Sequence, residues 1–238
     1  RTRAIVVLHY GGIACEMDTI KAISQETGVP IVEDNAHGLL GSYRGQPLGS
    51  FGCLATQSFH ETKNFICGEG GALLVNREDW VDRAEILREK GTDRSLVLKG
   101  VKNKYNWVDL GSSFLMSDIL AAMLFSQVEQ VEKIVEMRGV VTKAYKEVFQ
   151  PYVDNGCIKI PVVQEGVLIN NHAYFVIFDR SVNQEMFLSL LKEKDIYAYI
   201  GYMPLHSSPM GRRFGYQADD LPITESNTSL SLGAQSSL

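Results

Sequence analysis

Apolar residues in the first half of this chain come in short runs separated by polar turns, and a helical repeat takes over in the middle. Ala4 to Leu8 is a continuous apolar run rich in β-branched residues, the pattern of a strand buried on both faces. Asp18 then reads as the N-cap of a helix that ends at Gly28, and Pro30 stops its continuation. Pro30 to Glu33 is the next strand. Strand, helix and strand at this spacing predict a right-handed βαβ unit in a parallel sheet. Residues 39–52, rich in Gly and Ser with one Pro, read as loop or turn. Leu54 to Phe59 resumes the sheet. Ala72 to Val75 follows too soon for a helical crossover, so it is expected to run antiparallel. Glu78 to Lys90 is an amphipathic helix capped by Gly91.

From Asp118 the period becomes helical through Leu120, Met123, Leu124, Val128, Val131, Ile134 and Val135. This helix is expected to break or bend near Gly139 and to resume as far as Phe149. After Pro151 the pattern shortens. Strands at Ile158–Ile160, Ala173–Phe178 and Ile196–Ile200, with a helix near Gln184–Lys194, predict a smaller α+β unit. The expected division is therefore residues 1–135, a large α/β domain, and residues 136–238, a small C-terminal α+β domain. Both ends read as cut. The chain opens on Arg-Thr-Arg and enters a strand at once, and the Ser-rich stretch from Ser226 to Leu238 lacks periodicity and reads as frayed. No internal repeat is visible.

Composition narrows the function classes. The chain has 238 residues, 45% of them hydrophobic and 21% charged, as expected for a soluble globular enzyme or binding protein. A net charge of −5 without a Lys/Arg cluster gives no footprint for nucleic acid. No apolar run is long enough to span a bilayer and no export signal opens the chain, so the expected location is the cytoplasm. The Asn227-Thr228-Ser229 sequon reads as coincidence on the same ground. Cys15, Cys53, Cys67 and Cys157 show neither C-x-x-C spacing nor paired histidines at metal distances, and they read as small buried residues.

The candidate chemistry lies at the strand ends. Ser58-Phe-His-Glu-Thr-Lys63-Asn64 follows one strand and runs into Gly68-Glu-Gly-Gly-Ala72, while Val29-Pro-Ile-Val-Glu-Asp34-Asn-Ala-His37 closes another. In an open parallel sheet, ligands sit beyond the carboxyl ends of the strands. A lysine and an aspartate delivered there suit pyridoxal phosphate: Lys63 forms the Schiff base, and Asp34 keeps the pyridine nitrogen protonated so that the ring accepts electrons. Taken singly, Asp34 reads better as a cap and Lys63 as a solvated lysine. The ordered set of Asp34, Ser58, Lys63 and the glycines shifts the balance. Ser58 stands five residues before Lys63, where its hydroxyl reaches toward a cofactor phosphate. His37 is read either as a partner of the cofactor ring or as a structural histidine. His206, in the proline-bounded Met203-Pro-Leu-His206-Ser-Ser-Pro209, is a functional candidate, and His9 at the end of the first strand is another. His172 carries little signal.

Six ordered motifs resemble a known family. Val32-Glu-Asp-Asn-Ala-His37, Ser58 to Asn64, Gly68 to Ala72, Leu87-Arg-Glu-Lys-Gly-Thr-Asp-Arg-Ser95, Tyr105-Asn-Trp-Val-Asp-Leu-Gly-Ser-Ser-Phe-Leu-Met-Ser-Asp118 and Met203 to Pro209 look like the DegT/DnrJ/EryC1/StrS nucleotide-sugar aminotransferases. The resemblance runs from residue 1 to about 225. It implies the fold-type I pyridoxal phosphate architecture (aspartate aminotransferase-like), a mixed, mostly parallel sheet with helices on both faces plus a small α+β domain. The nearest branch converts a dTDP-4-keto-6-deoxy sugar into dTDP-4-amino-4,6-dideoxygalactose for cell-surface polysaccharides such as lipopolysaccharide or enterobacterial common antigen. Carried over by position, the resemblance implies Lys63 as the Schiff-base lysine and Asp34 as the pyridine-nitrogen partner. It places His37 near the ring and its 3′-oxygen, Ser58 on the phosphate, Asn106 on the phosphate across a homodimer interface, and His206 on ring substituents or sugar. The family's N-terminal segment, with its phosphate clamp and stacking aromatic, has no counterpart in this sequence.

The implied reaction is a ping-pong transamination in which L-glutamate donates the amino group and a keto-sugar nucleotide receives it, with Lys63 as the general base and acid. Sugar dehydratases of related type carry a histidine where Lys63 stands, so the lysine argues against them. A nicotinamide-dependent enzyme is disfavoured by the lack of G-x-G-x-x-G after the first strand. A truncated fragment that folds or dimerises without catalysis is the reading of a different class, and another keto-sugar nucleotide is the alternative substrate.

Overall fold

The computed structural model describes residues 2–179, 182–196, 198–201, 203–228 and 231–234. They divide into two compact units, residues 1–134 with 165–170, and residues 135–164 with 171–238.

The first unit opens with β1 (Ile5–Leu8), α1 (Met17–Thr27) and β2 (Ile31–Asp34), and β1 and β2 run parallel with Leu8 opposite Asp34. After β3 (Ser42–Tyr43) and β4 (Gln46–Pro47) the chain adds β5 (Leu54–Ser58) parallel to β2. β6 (Gly71–Val75) then pairs antiparallel with β5, as the short connection predicts, giving a sheet of order β1-β2-β5-β6. α1 ends at a left-handed Gly28, but Glu16 rather than Asp18 is its N-cap residue. The Asp18 carboxylate is drawn instead to Arg44, at 2.6 Å, and to the Tyr43 hydroxyl.

Among the described residues, only one face of this sheet is well covered. Val7, Ile31 and Ala55 are buried, and Val7 and Ile31 pack with Ala14, Met17, Tyr43 and Leu48. Val6 and Leu8, on the other face of β1, are 67% and 41% exposed, so the expectation of a strand buried on both faces is not met. A continuous apolar run specifies that both faces avoid water, and it does not say that one chain covers both.

Residues 39–52 are more ordered than a loop. β3 and β4 form a hairpin that β8 (Val167–Leu168) extends to a small sheet of order β4-β3-β8. Two-residue strands carry no readable period. Further on lie α2 (Val81–Arg88), α3 (Arg94–Leu98) and α4 (Asp118–Val128), and the Ser117 hydroxyl accepts the Leu120 amide to cap α4. The helical pattern breaks at Glu129–Gln130, not near Gly139. α5 (Val131–Asp154) is unbroken at Gly139 and Pro151. A glycine inside a helix costs only about 1 kcal/mol, which packing readily offsets.

The second unit pairs the Val135–Asp154 part of α5 with an antiparallel sheet. Its strands are β7 (Ile158–Lys159), β9 (Tyr174–Phe178), β10 (Tyr199–Ile200) and β11 (Ser231–Ala234), in the order β10-β11-β9-β7. α6 (Gln184–Lys192) starts at Asn183, whose side chain accepts the Met186 amide, and α7 (Pro209–Arg213) and α8 (Pro222–Thr228) follow. Ile158, Val176 and Phe178 form the core with Phe149, Phe187 and Leu188. Tyr145, Tyr174 and Phe149 stack at centroid distances of 5.6 and 5.9 Å. β11 lies within the stretch expected to be frayed. It is an inner strand of this sheet, a pairing its own Ser- and Gly-containing sequence does not announce. Ser229, Leu230 and residues 235–238 of that stretch lie outside the described residues. Cys157 is exposed, against the expectation of four buried cysteines.

Candidate functional site

β2 delivers two adjacent carboxylates to opposite faces of the sheet. Glu33 points to the covered face and has no exposure. Its Oε1 accepts the amides of Phe51 and Gly52, at 2.6 and 2.7 Å, and its Oε2 accepts Gly49 N–H at 2.7 Å and His9 Nε2 at 3.0 Å. Burial acts to raise the Glu33 pKa, but His9 and the amides of Gly52, Gly49 and Phe51 outweigh it and hold the carboxyl below its ordinary value. His9 is thus committed to the covered face. Its Nδ1 accepts the Cys15 amide at 3.2 Å, and it does not face the open side of the strand ends as expected.

Asp34 emerges on the open face, in register with Leu8 and Thr56 of the neighbouring strands. Its Oδ1 accepts Ala36 N–H at 3.1 Å. The turn that follows brings His37 against Tyr10, edge to face at 5.4 Å, and His37 Nδ1 accepts Gly11 N–H at 3.2 Å. An accepting Nδ1 places the proton of the neutral ring on Nε2. Burial, and then the Lys63 ammonium, push the His37 pKa down to about 4 against the pull of Asp34, so the ring is neutral at physiological pH.

Lys63 sits in the connection between β5 and β6. That connection continues the hairpin beyond the strands, with Phe59 N–H on Gly70 O at 2.8 Å and Glu61 N–H on Gly68 O at 3.1 Å. Gln127 of α4 grips it from outside, its Oε1 accepting Ile66 N–H at 3.0 Å and its Nε2 donating to Ile66 O at 2.5 Å. Asn64 Nδ2 donates to Asn170 O at 2.9 Å. Lys63 itself is half-buried, and among the described residues its Nζ makes no hydrogen bond or ion pair. Burial lowers its pKa while Asp34 pulls the other way. Asp34, His37 and Lys63 therefore share one electrostatic neighbourhood although 29 residues separate the first from the last.

The remaining sequence candidates are placed differently. Ser58 ends β5, two residues past Thr56, and its hydroxyl accepts His60 N–H at 3.3 Å. The backbone of Asn106 is fixed by buried Asp93, whose Oδ1 accepts Asn106 N–H at 2.6 Å and whose Oδ2 meets Lys102 Nζ at 2.5 Å. The Asn106 side chain is exposed and makes no hydrogen bond among the described residues. His206 belongs to the second unit, where its Nε2 lies 3.3 Å from both Ala218 O and Glu225 Oε1. Sequence reasoning missed Glu33, Asn64, Gln127 and Asn170. Glu33 carried a signal, a charge within an apolar strand; Gln127 and Asn170 carried none, because their partners lie 61 to 133 residues away.

Comparison with known proteins places these residues in a wider group. Residues 1–237 match the DegT/DnrJ/EryC1/StrS aminotransferase family. The chain is 30% identical over 230 residues to the spore coat polysaccharide biosynthesis protein SpsC of Bacillus subtilis, covering 93% of this chain and 58% of that protein. It is 27% identical over 230 residues to dTDP-4-dehydro-2,3,6-trideoxy-D-glucose 4-aminotransferase of Saccharopolyspora spinosa, covering 94% of this chain and 58% of the relative. The crystal structure of the aminotransferase TlmJ from Streptoalloteichus hindustanus superposes with a TM-score of 0.84 at 25% identity, over 99% of this chain and 60% of that one. The chain thus spans about three-fifths of the length of these relatives. The shared architecture is the mixed, mostly parallel α/β sheet of fold type I.

Proposed function

The chain belongs to the DegT/DnrJ/EryC1/StrS aminotransferase family, and we propose that it carries the pyridoxal phosphate site of a nucleotide-sugar aminotransferase. The observation that supports this most is the trio of Asp34, neutral His37 and the half-buried Lys63, whose Nζ is unpaired among the described residues, beyond the ends of parallel strands. The donor set fits the cofactor: a carboxylate for a ring nitrogen, an imidazole Nε2–H for a ring oxygen and an amine for an aldehyde carbon. When bound, pyridoxal phosphate supplies that aldehyde and a protonated ring that takes up an electron pair.

The protein's part is to attach, orient and move protons. Lys63 Nζ is made less basic by burial, so a larger fraction is neutral and able both to attack and to accept a proton. With a substrate amine in its place, Lys63 would serve as base and then as acid at the substrate carbon. Asp34 would hold a proton on the ring nitrogen. His37, locked by Gly11 with its proton on Nε2, would donate to the ring oxygen, and Ser58 would hold the phosphate. L-Glutamate is the proposed donor and a 4-keto-6-deoxy sugar nucleotide the acceptor; dTDP-4-keto-6-deoxyglucose, converted to dTDP-4-amino-4,6-dideoxygalactose for cell-surface polysaccharides in the cytoplasm, is the first to try. His206 is proposed as a substrate-binding residue, and its Nε2 also lies 3.3 Å from Ala218 O and Glu225 Oε1.

We also propose that the enzyme is a homodimer, with Asn106 reaching the partner's phosphate. The exposed apolar side chains of Trp107, Leu110, Phe114, Ile119 and Phe125 support a protein partner. The decisive experiment is an absorption spectrum of the chain with pyridoxal phosphate, before and after L-glutamate. The expected result is a visible cofactor band that glutamate bleaches and that Lys63→Ala never develops. A chain that binds no cofactor, or a Lys63→Ala variant that responds to glutamate like the parent, overturns the proposal.

A further inference from the structure

Asn170 is almost fully buried, just past β8, in a segment the sequence connects to no other part of the site. Its Nδ2 donates to His37 O at 2.6 Å and to Leu39 O at 2.8 Å. Its own carbonyl receives Asn64 Nδ2 at 2.9 Å, one residue beyond Lys63. Its Oδ1 lies so close to Gly12 that a Cβ there would stand 1.9 Å away, so the carboxamide rests on a backbone that only glycine leaves open. That same turn, through Gly11 N–H, fixes the His37 ring.

From this convergence we infer that Asn170 is a positioning residue that locks together the turns after β1, β2 and β5, and so sets where His37 and Lys63 stand relative to each other. The reason is geometric. His37 and Lys63 lie on separate turns, and each turn alone has several soft torsions. A buried carboxamide that satisfies two carbonyls of one turn, with a main-chain carbonyl that holds the next, removes that freedom at a cost of only two χ angles. Its donors are also hard to replace, because His37 O and Leu39 O would lose these partners on removal. The inference rests on the proposed cofactor site for its functional meaning, but its test needs no cofactor, so the two fail separately.

The test uses the ligand-free chain and two variants, Asn170→Ala and Asn64→Ala. Two signatures are read: the 15N ring shifts of His37, which report its tautomer, and the pH midpoint for reductive methylation of Lys63. Asn170→Ala removes the clamp on the His37 turn and should shift the His37 nitrogens toward an averaged tautomer. Asn64→Ala frees only the Lys63 loop and should raise the Lys63 midpoint toward that of an ordinary lysine, with His37 unchanged. A purely structural role would lower the melting temperature and leave both signatures as in the parent. A folded Asn170→Ala with an unchanged His37 tautomer overturns the inference. So does Asn64→Ala with an unchanged Lys63 midpoint, which decides the matter if the first variant does not fold.

Discussion

The two faces of the first sheet treat adjacent carboxylates in opposite ways. On the covered face, Glu33 receives four donors and has no exposure, and its partners Gly49, Phe51, Gly52 and His9 are thereby fixed. On the open face, Asp34 takes one amide from Ala36, and Lys63, in its field, makes no hydrogen bond or ion pair among the described residues. A satisfied buried charge is a structural joint. Charge left in hand at a strand end is capacity for a ligand. One residue along a strand separates the two roles, because successive side chains point to opposite faces.

Replacing Lys63 with Ala should break the open face most completely, lowering the proposed transamination by about 10⁴-fold while the urea midpoint stays near that of the parent. Retained turnover at a tenth of the parent rate would contradict the assignment. Glu33→Ala should do the reverse. It leaves a buried histidine and three amides unpaired, at a cost of about 3–5 kcal/mol in a urea melt, and the surviving folded fraction should keep its cofactor site. Asp34→Asn tests the contrast at one residue's remove: a fall of about 10²-fold in rate is expected, with less than about 1 kcal/mol lost in stability. If Asp34→Asn destabilised the chain as much as Glu33→Ala, the division between faces would be wrong.

Acid supplies a gentler test. The folded-state pKa of Glu33 lies below its ordinary 4.5, so the unfolded chain binds the proton first. The stability it contributes is complete above that value and is lost as pH falls through the folded pKa. The unfolding free energy should therefore decline below about pH 4.5, and Glu33→Gln should flatten part of that slope. An identical slope in both proteins would mean that folding does not lower the Glu33 pKa. Arg44→Ala, which removes an exposed partner of Asp18, should change stability by no more than about 0.5 kcal/mol.

Much of this was legible in the residues. The βαβ unit, the antiparallel return of β6 and the helix at Gln184 were signalled by periodicity, caps and connection length, all of which are local. The Ser58-to-Asn64 and Glu33-to-His37 motifs singled out Lys63, Asp34 and His37, the three residues the fold gathers. Other features were hidden for stated reasons. Asp18 has the local pattern of a cap, and its competing partner, Arg44, is distant in sequence. The break falls at Glu129–Gln130 and not at Gly139, because a glycine is a weaker signal than the packing that overrides it. His9 was expected at the site, whereas its partners Glu33 and Cys15 turn it to the other face.

By itself, the sequence determined which side chains reach the ends of the parallel strands, since strand period and turn chemistry act over a few residues. Tertiary structure decided which of them are saturated and which remain available. Whether Glu33 is a joint while Asp34 keeps an open carboxylate depends on the amides of Gly49, Phe51 and Gly52 closing over one face. Whether His37 and Lys63 share a fixed geometry depends on Asn170 and Gln127, which arrive from distant parts of the chain. Those partnerships form only when long loops close, and no local pattern records that closure.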